Sequence, residues 1–438
     1  MPELTSSWIR WLLSQTESLL PERVHQSAWA STVDTLLASA FGGRESANLH
    51  ALLEPIEDDA SQRSTILIPG IMGSLLGSTR GKSALLWLNP ALLVQGALNL
   101  LDLDGDGRDD ANPEVEVVPF GIEKMTYLPL IETLARRSQL LEFPYDWRHN
   151  IVVTAHRLHA AILRWSSGVL DKRFTIVCHS MGGLVARCYM ALYPREAERQ
   201  IEQVLMIGVP LHGAAVAALA FSRELHPYLL VANVNPGNDL AGFSRTLPST
   251  YQLLPPPADE FPADPVYPFD WDIYDARAWP IQGLSQAHLN TAAATHRLMR
   301  NSDPQLPLYN FAGCHMSTVT QIYLDDTQPE GLRPEYVAQG EQSGDGQVPL
   351  WSSRATNVAT HYVEEDHVAL VRNQRVLADV STLLAGGQPS LPTVVPRRQS
   401  TVERWTGLPL HQQLVEMRNR IESETLTRID LDHLFFWR

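Results

Sequence analysis

Three residues of this chain sit in settings where a nucleophile, an acid and a base could cleave an ester. The first is Ser180 in "FTIVCHSMGGLVARCYM", Phe174 to Met190, where a β-branched and apolar run gives way to a helix-like one. The junction nearly matches the G-x-S-x-G elbow, a tight strand-to-helix turn that holds a serine strained and exposed. Neighbouring backbone comes close in such a turn, so the flanking positions must be small. Gly182 supplies this two residues after the serine, and Gly183 lets the helix approach the sheet. Cys178 stands where the first glycine is expected, but it is still among the smallest side chains and reads as packing beneath the serine rather than as a second nucleophile. Taken alone, the motif also suits a serine in a helix-start loop.

A neutral hydroxyl is a poor nucleophile and needs a base within reach, a group orienting that base, and donors for the oxyanion. "QSGDGQVPLWSS" places Asp345 between two glycines in a turn after the apolar run "LPLYNFAG". An aspartate there also suits an Asx-type turn. "THYVEEDHVALVRNQ" places His367 after a short strand and at the head of a helix, whereas its rivals His361 and His315 lie within or beside strands. The order Ser180, Asp345, His367 is that of α/β-hydrolases and differs from both unrelated serine-protease orders. "ILIPGIMGS" follows the first strong strand. Its Gly70 permits close backbone approach, and Ile71 would offer an N–H beside that of Met181, the residue after the serine.

These residues need a scaffold, and the chain predicts one. "STILIPG", "LLEFPYD", "RFTIVC", "QVLMIGVP", "LPLYNFAG" and "THYVEE" read as strands, with helical stretches at 151–168 and 181–192 between some of them. Strands alternating with helices predict a mostly parallel sheet covered on both faces. Between the strands near 207 and 310 the pattern breaks at "YQLLPPPADEFPADPVYPFDWD", too rich in proline for a central strand or a long helix. Its Tyr251, Leu253, Leu254, Tyr267, Phe269 and Trp271 need burial, so it reads as an insertion over the sheet. Residues 1–60 read as a helical extension, and "AGGQPSLPTVVPRRQST" as a linker to an amphipathic helix carrying Leu410, Leu414, Met417 and Ile421.

Composition narrows the partners. The chain has 438 residues, enough for a sizeable core, and a formal net charge of −15, which disfavours nucleic acid or an anionic membrane surface. No window approaches the roughly 18 continuous apolar residues of a membrane span, so at most peripheral membrane contact is expected. The first twenty residues lack the basic, apolar and cleavage regions of a secretory leader. Three cysteines, Cys178, Cys188 and Cys314, cannot all pair within one chain, and they point to a reducing compartment, with the cytoplasm as the expected location.

The ordered set "ILIPGIMGS", "FPYDWR", "CHSMGGLVAR", "GVPLHGA", "PSTYQLLP", "YNFAG" and "GDGQVPLWS" resembles the successive motifs of the lecithin:cholesterol acyltransferase-like family of α/β-hydrolases. The resemblance covers roughly residues 64–372 and implies an α/β-hydrolase domain over 61–385, with a cap inserted at about 212–305 above an acyl-binding cleft. It implies the same three residues: Ser180 as nucleophile, Asp345 as acid and His367 as base. Three features depart from the family pattern: Cys178, Val209 where threonine is common with Leu211 displacing the histidine by one place, and no counterpart to the disulfides of secreted members.

Two further stretches invite function. "DLDGDGRDDANPE", Asp102 to Glu114, sets Asp102, Asp104, Asp106 and Asp110 at positions 1, 3, 5 and 9 of an EF-hand-like calcium loop, with Gly107 at position 6. Position 12, normally a bidentate glutamate, is Pro113, so the loop reads either as a structural calcium site or as a solvated acidic surface. "YDWR" reads as a structural ion pair between Asp146 and Arg148. The expected activity is a serine esterase or acyltransferase acting on a lipid-like or other hydrophobic ester, with no cofactor needed for catalysis. The alternative is an inactive α/β-hydrolase-fold scaffold, calcium-dependent where the acidic loop takes the ion.

Overall fold

A computed structural model describes residues 63–398, apart from 81–83, 88, 90–91, 93–94, 168, 170, 226–234, 236, 264, 303–304 and 355–357. The N-terminal helices and the C-terminal amphipathic helix read from the sequence lie outside the described residues. The strands are β1 Ser64–Ile68, β2 Ser74–Ser78, β3 Ala84–Trp87, β4 Val117–Ile122, β5 Gln139–Glu142, β6 Phe174–His179, β7 Ile201–Ile207, β8 Leu308–Cys314, β9 Thr318–Leu324, β10 Leu332–Val337 and β11 Ala359–Glu364. The α-helices are α1 Lys124–Ala135, α2 Ile151–Trp165, α3 Met181–Leu192, α4 Pro194–Gln200, α5 Leu240–Thr246, α6 Pro248–Gln252, α7 Gln286–Arg300, α8 Leu350–Ser353 and α9 Gln374–Leu384.

Six strands form one parallel sheet in the order β11-β8-β7-β6-β1-β5. Each of the six runs read as a strand contributes one of these. The sheet is covered on both faces, which is why most of its strands are rich in apolar and β-branched residues. Alternate residues go to opposite cores. Ile66, Ile68, Ile176, Cys178, Val204 and Met206 join α2 and α3 in one cluster, while Leu67, Val177, Leu205 and Ile207 join α1 and α9 in the other. The architecture is that of an α/β-hydrolase.

Two antiparallel pieces were not legible in the sequence. β3-β2-β4 form a three-stranded sheet and β9 pairs with β10. Both carry prolines, Pro119 in β4 and Pro334 in β10, and both of those strands lie at the margins of their sheets, where a missing N–H is tolerated. The stretch read as a linker is fastened at its start. The buried Asp379 of α9 accepts the N–H groups of Ser390 and Leu391, and Pro392 O accepts the Tyr362 N–H.

The proline-rich insertion has a core of its own. Phe221, Tyr251, Leu254, Phe269, Trp271, Ile273 and Trp279 cluster with Leu289 of α7 and with Val319, Ile322 and Leu332 of the β9–β10 hairpin. Its aromatic residues supply the buried area that its irregular backbone requires.

Candidate active site

Ser180 follows β6 directly and precedes α3. Its backbone lies at φ 53° and ψ −129°, a conformation L-residues rarely adopt. The turn is crowded by the end of β1: a Cβ on Gly70 would lie 2.9 Å from Ser180 Cβ, and one on Gly182 would lie 2.5 Å from the Pro69 carbonyl oxygen. Only glycine lets these two segments touch. Cys178 is fully buried in β6 between Ile68 and Met206, where burial pushes its thiol far up. A protonated thiol facing the core is a packing group.

The fold brings Ser180, His367 and Asp345 together from three separate segments. His367 Nε2 lies 2.9 Å from Ser180 Oγ, and its Nδ1 lies 2.7 Å from Asp345 Oδ2. Asp345 Oδ1 accepts the backbone N–H groups of Gln347 and Val348 at 3.0 and 2.7 Å, and its carbonyl accepts the His367 N–H at 2.8 Å. All three residues are buried, with Ser180 the most exposed at 7%. The carboxylate can take only the Nδ1 proton, which leaves Nε2 free to accept the serine's. His361 and His315, the rival histidines, are tied to the Leu391 and Pro396 carbonyls.

A pocket of about 90 Å³ opens on Ser180 and His367, walled also by Ile71 and Val348 and roofed by insertion residues including Val216 and Leu247. Met181 is the first residue of α3, so its N–H has no carbonyl one turn earlier in the helix. The Ile71 turn is closed by the Gly73 N–H on Gly70 O at 3.1 Å, and the Gly70 N–H goes to Tyr127 Oη at 2.8 Å. Tyr127 in turn meets His179 Nδ1 at 2.8 Å, and His179 Nε2 meets the His367 carbonyl at 3.1 Å. Neither side chain was singled out in the sequence. His179 is flagged only by its place beside Ser180, and Tyr127 carries no local signal.

The acidic loop is arranged differently. Asp104 Oδ1 takes the N–H groups of Arg108 and Asp109, and Asp110 takes the Val117 N–H and pairs with Arg148 at 2.8 Å. Asp102 points one oxygen into a buried spot with no partner, and burial followed by the Asp239 carboxylate raises its pKa to about 6, with Arg148 opposing. Asp106 lies at the exposed tip. Among the described residues no three His, Cys, Asp or Glu side chains are grouped to hold a metal ion. Gly107, at φ 67°, packs under Pro248 of the insertion. Arg148, fully buried, binds Asp146, Asp110 and the Leu101 carbonyl, so "YDWR" clamps this loop to the body.

With this geometry in view, a family model described as lecithin:cholesterol acyltransferase matches residues 130–376, more than half of the chain. The chain belongs to the lecithin:cholesterol acyltransferase family. The matched stretch contains Ser180, Asp345 and His367; Ile71 and the acidic loop precede it. A family relative, lecithin-cholesterol acyltransferase-like 4 of Arabidopsis thaliana, is 22% identical over 282 residues, which are 50% of each chain. The chain thus spans about half the length of that relative. Among solved structures, a chain of the Tle4–Tli4 complex superposes with a TM-score of 0.50 at 13% identity, covering 74% of this chain and 98% of that one. The mature lipase BlEst2 of Bacillus licheniformis gives 0.41 at 13% identity, covering 76% and 96%.

Proposed function

We propose that this member of the family is a serine-dependent lipid ester hydrolase or acyltransferase. The observation that carries the reading is the hydrogen-bonded row Asp345–His367–Ser180 at the floor of a pocket roofed by apolar side chains. Ser180 Oγ attacks the ester carbonyl carbon as its proton passes to His367 Nε2. The imidazolium that forms is held by Asp345 through Nδ1–H. The N–H groups of Ile71 and Met181 receive the developing oxyanion, a contribution of about 10²–10³ in turnover for each such donor. His367 returns the proton to the leaving alcohol, and an acyl-enzyme remains on Ser180. Water or a second alcohol, deprotonated by His367, then takes the acyl group, giving an acid or a new ester. No step needs a metal or a cofactor.

The pocket's volume bears on the substrate. About 90 Å³ is far below the roughly 300–1,000 Å³ of ordinary ligand sites, so a long acyl chain requires the roof residues Val216, Ala217, Leu247 and Leu253 to move. A hydrophobic ester rather than a charged one fits a roof of this composition. The three cysteines are unpaired and buried, which suits a reducing compartment such as the cytoplasm.

The test is labelling with a serine-reactive fluorophosphonate, followed by a panel of p-nitrophenyl esters of increasing chain length and then phospholipids with and without an alcohol acceptor. Labelling of the wild type and not of Ser180→Ala is expected. Absence of labelling in both would leave the inactive scaffold as the surviving reading. Activity confined to short chains would remove the lipid substrate and keep the esterase.

A further inference from the structure

Beneath Ser180 runs a line of buried hydrogen bonds that the chemistry above does not use. Tyr127 and His179 are both buried, and neither is among the residues lining the pocket. The line begins at the Gly70 N–H, crosses Tyr127 Oη at 2.8 Å and His179 Nδ1 at 2.8 Å, and leaves from His179 Nε2 to the His367 carbonyl at 3.1 Å.

Its protons have one consistent placement. The His367 carbonyl can only accept, so the neutral His179 ring carries its proton on Nε2. Nδ1 is then an acceptor, and the Tyr127 O–H donates to it while the phenol oxygen accepts from Gly70. Burial acts in the same sense: desolvation holds His179 well below the usual imidazole range and raises Tyr127 above the usual phenol one. A line that stays neutral and fully assigned carries no proton to the reaction. Its effect is on position.

It joins two separate segments of the site. At one end is the turn that offers the Ile71 N–H; at the other is the backbone of His367, whose N–H is already fixed on Asp345 O. We propose that Tyr127 and His179 are positioning residues that hold the oxyanion-side turn and the base-bearing loop at one fixed spacing around Ser180. The inference rests on the Ser180–His367–Asp345 reading.

The experiment compares wild type, Tyr127→Phe, His179→Leu, His179→Gln and the double variant Tyr127→Phe/His179→Leu. It measures kcat and KM on a soluble short-chain p-nitrophenyl ester, the rate of fluorophosphonate labelling, and thermal melting. Tyr127→Phe should lower kcat and the labelling rate about 10- to 100-fold, with KM within about 2-fold, because a misplacement of an ångström or less is felt in the transition state. The double variant should lose no more than His179→Leu alone, since the two act through one line. His179→Gln keeps an acceptor and a donor and should recover part of the loss.

Unchanged kcat in Tyr127→Phe, or additive losses in the double variant, overturns the proposal. If Tyr127→Phe does not fold, the kcat difference between His179→Gln and His179→Leu at equal KM decides the question, and equal kcat overturns it. Wild type that labels at Ser180 while these predictions fail removes only the positioning role. Wild type that does not label removes the reading beneath it as well.

Discussion

Replacing Asp345 by asparagine separates the orientation of His367 from the integrity of the fold. One carboxylate oxygen, Oδ1, takes two backbone N–H groups, from Gln347 and Val348, and the other takes the His367 Nδ1 proton at 2.7 Å. An asparagine has one oxygen, and the two N–H donors claim it. Its NH₂ must then face Nδ1. Two donors cannot face each other, so His367 carries its proton on Nε2 and can no longer accept one from Ser180. The third bond reverses direction rather than being lost, and a neutral amide replaces the carboxylate, so unfolding should lose only about 1–2 kcal/mol. Turnover should fall about 10³- to 10⁴-fold, equivalent to about 4–5.5 kcal/mol in the barrier. Asp345→Ala makes the contrast: it also orphans the two N–H groups, at about 1–3 kcal/mol each, so it should melt well below the asparagine variant at similar turnover. Steady-state turnover of a soluble ester and a melting curve on each protein suffice. If Asp345→Asn keeps more than about a tenth of wild-type kcat, or melts as low as Asp345→Ala, the proton placement on His367 is wrong.

Three further outcomes follow from buried contacts. Asp102, pushed up to about 6, binds a proton in the native state that it would not bind unfolded, so stability is lost as pH rises from the ordinary carboxylate value through about 6. Asp102→Asn should therefore raise the melting temperature near pH 8 and have little effect near pH 4; equal shifts at both would contradict the assignment. A Cβ at Gly183 would lie 2.3 Å from Val209 Cγ2, so Gly183→Ala should cost about 1–3 kcal/mol, and adding Val209→Ala should restore most of it in denaturant titrations. Arg148→Met leaves the Asp146 carboxylate buried and unpaired and should cost about 3–5 kcal/mol, read from the same titrations.

Legibility in the sequence followed how local each cause was. The six sheet strands could be read because a strand buried on both faces is rich in apolar and β-branched residues, as in "FTIVCH", and that pattern needs no knowledge of its neighbours. β2, β3, β4 and β10 were missed because they are short or interrupted by glycine or proline, whereas β9, "TVTQIYL", has a β-branched run that went unread. The hairpin β9–β10 stands between β8 and Asp345, so the acid does not follow its strand as closely as the residue order suggested. The alternate-aspartate spacing of the acidic loop left a calcium site and a solvated acidic surface both open. In the folded chain, backbone N–H groups and Arg148 claim two of those carboxylates, a competition that spacing does not display.

The sequence by itself determined the alternation of strand and helix, the small residues around Ser180, and the order of serine, aspartate and histidine along the chain. These depend on side-chain size, periodicity and turn chemistry within a few neighbouring residues. Only the tertiary structure decided that His367 stands between Ser180 and Asp345 at hydrogen-bond distance, that the insertion roofs a pocket of about 90 Å³, and that Tyr127 reaches from α1 to both Gly70 and His179. These contacts join residues from 22 positions apart, for Asp345 and His367, to 187, for Ser180 and His367. Their spacing is set by how the sheet twists and packs, and no local pattern records it.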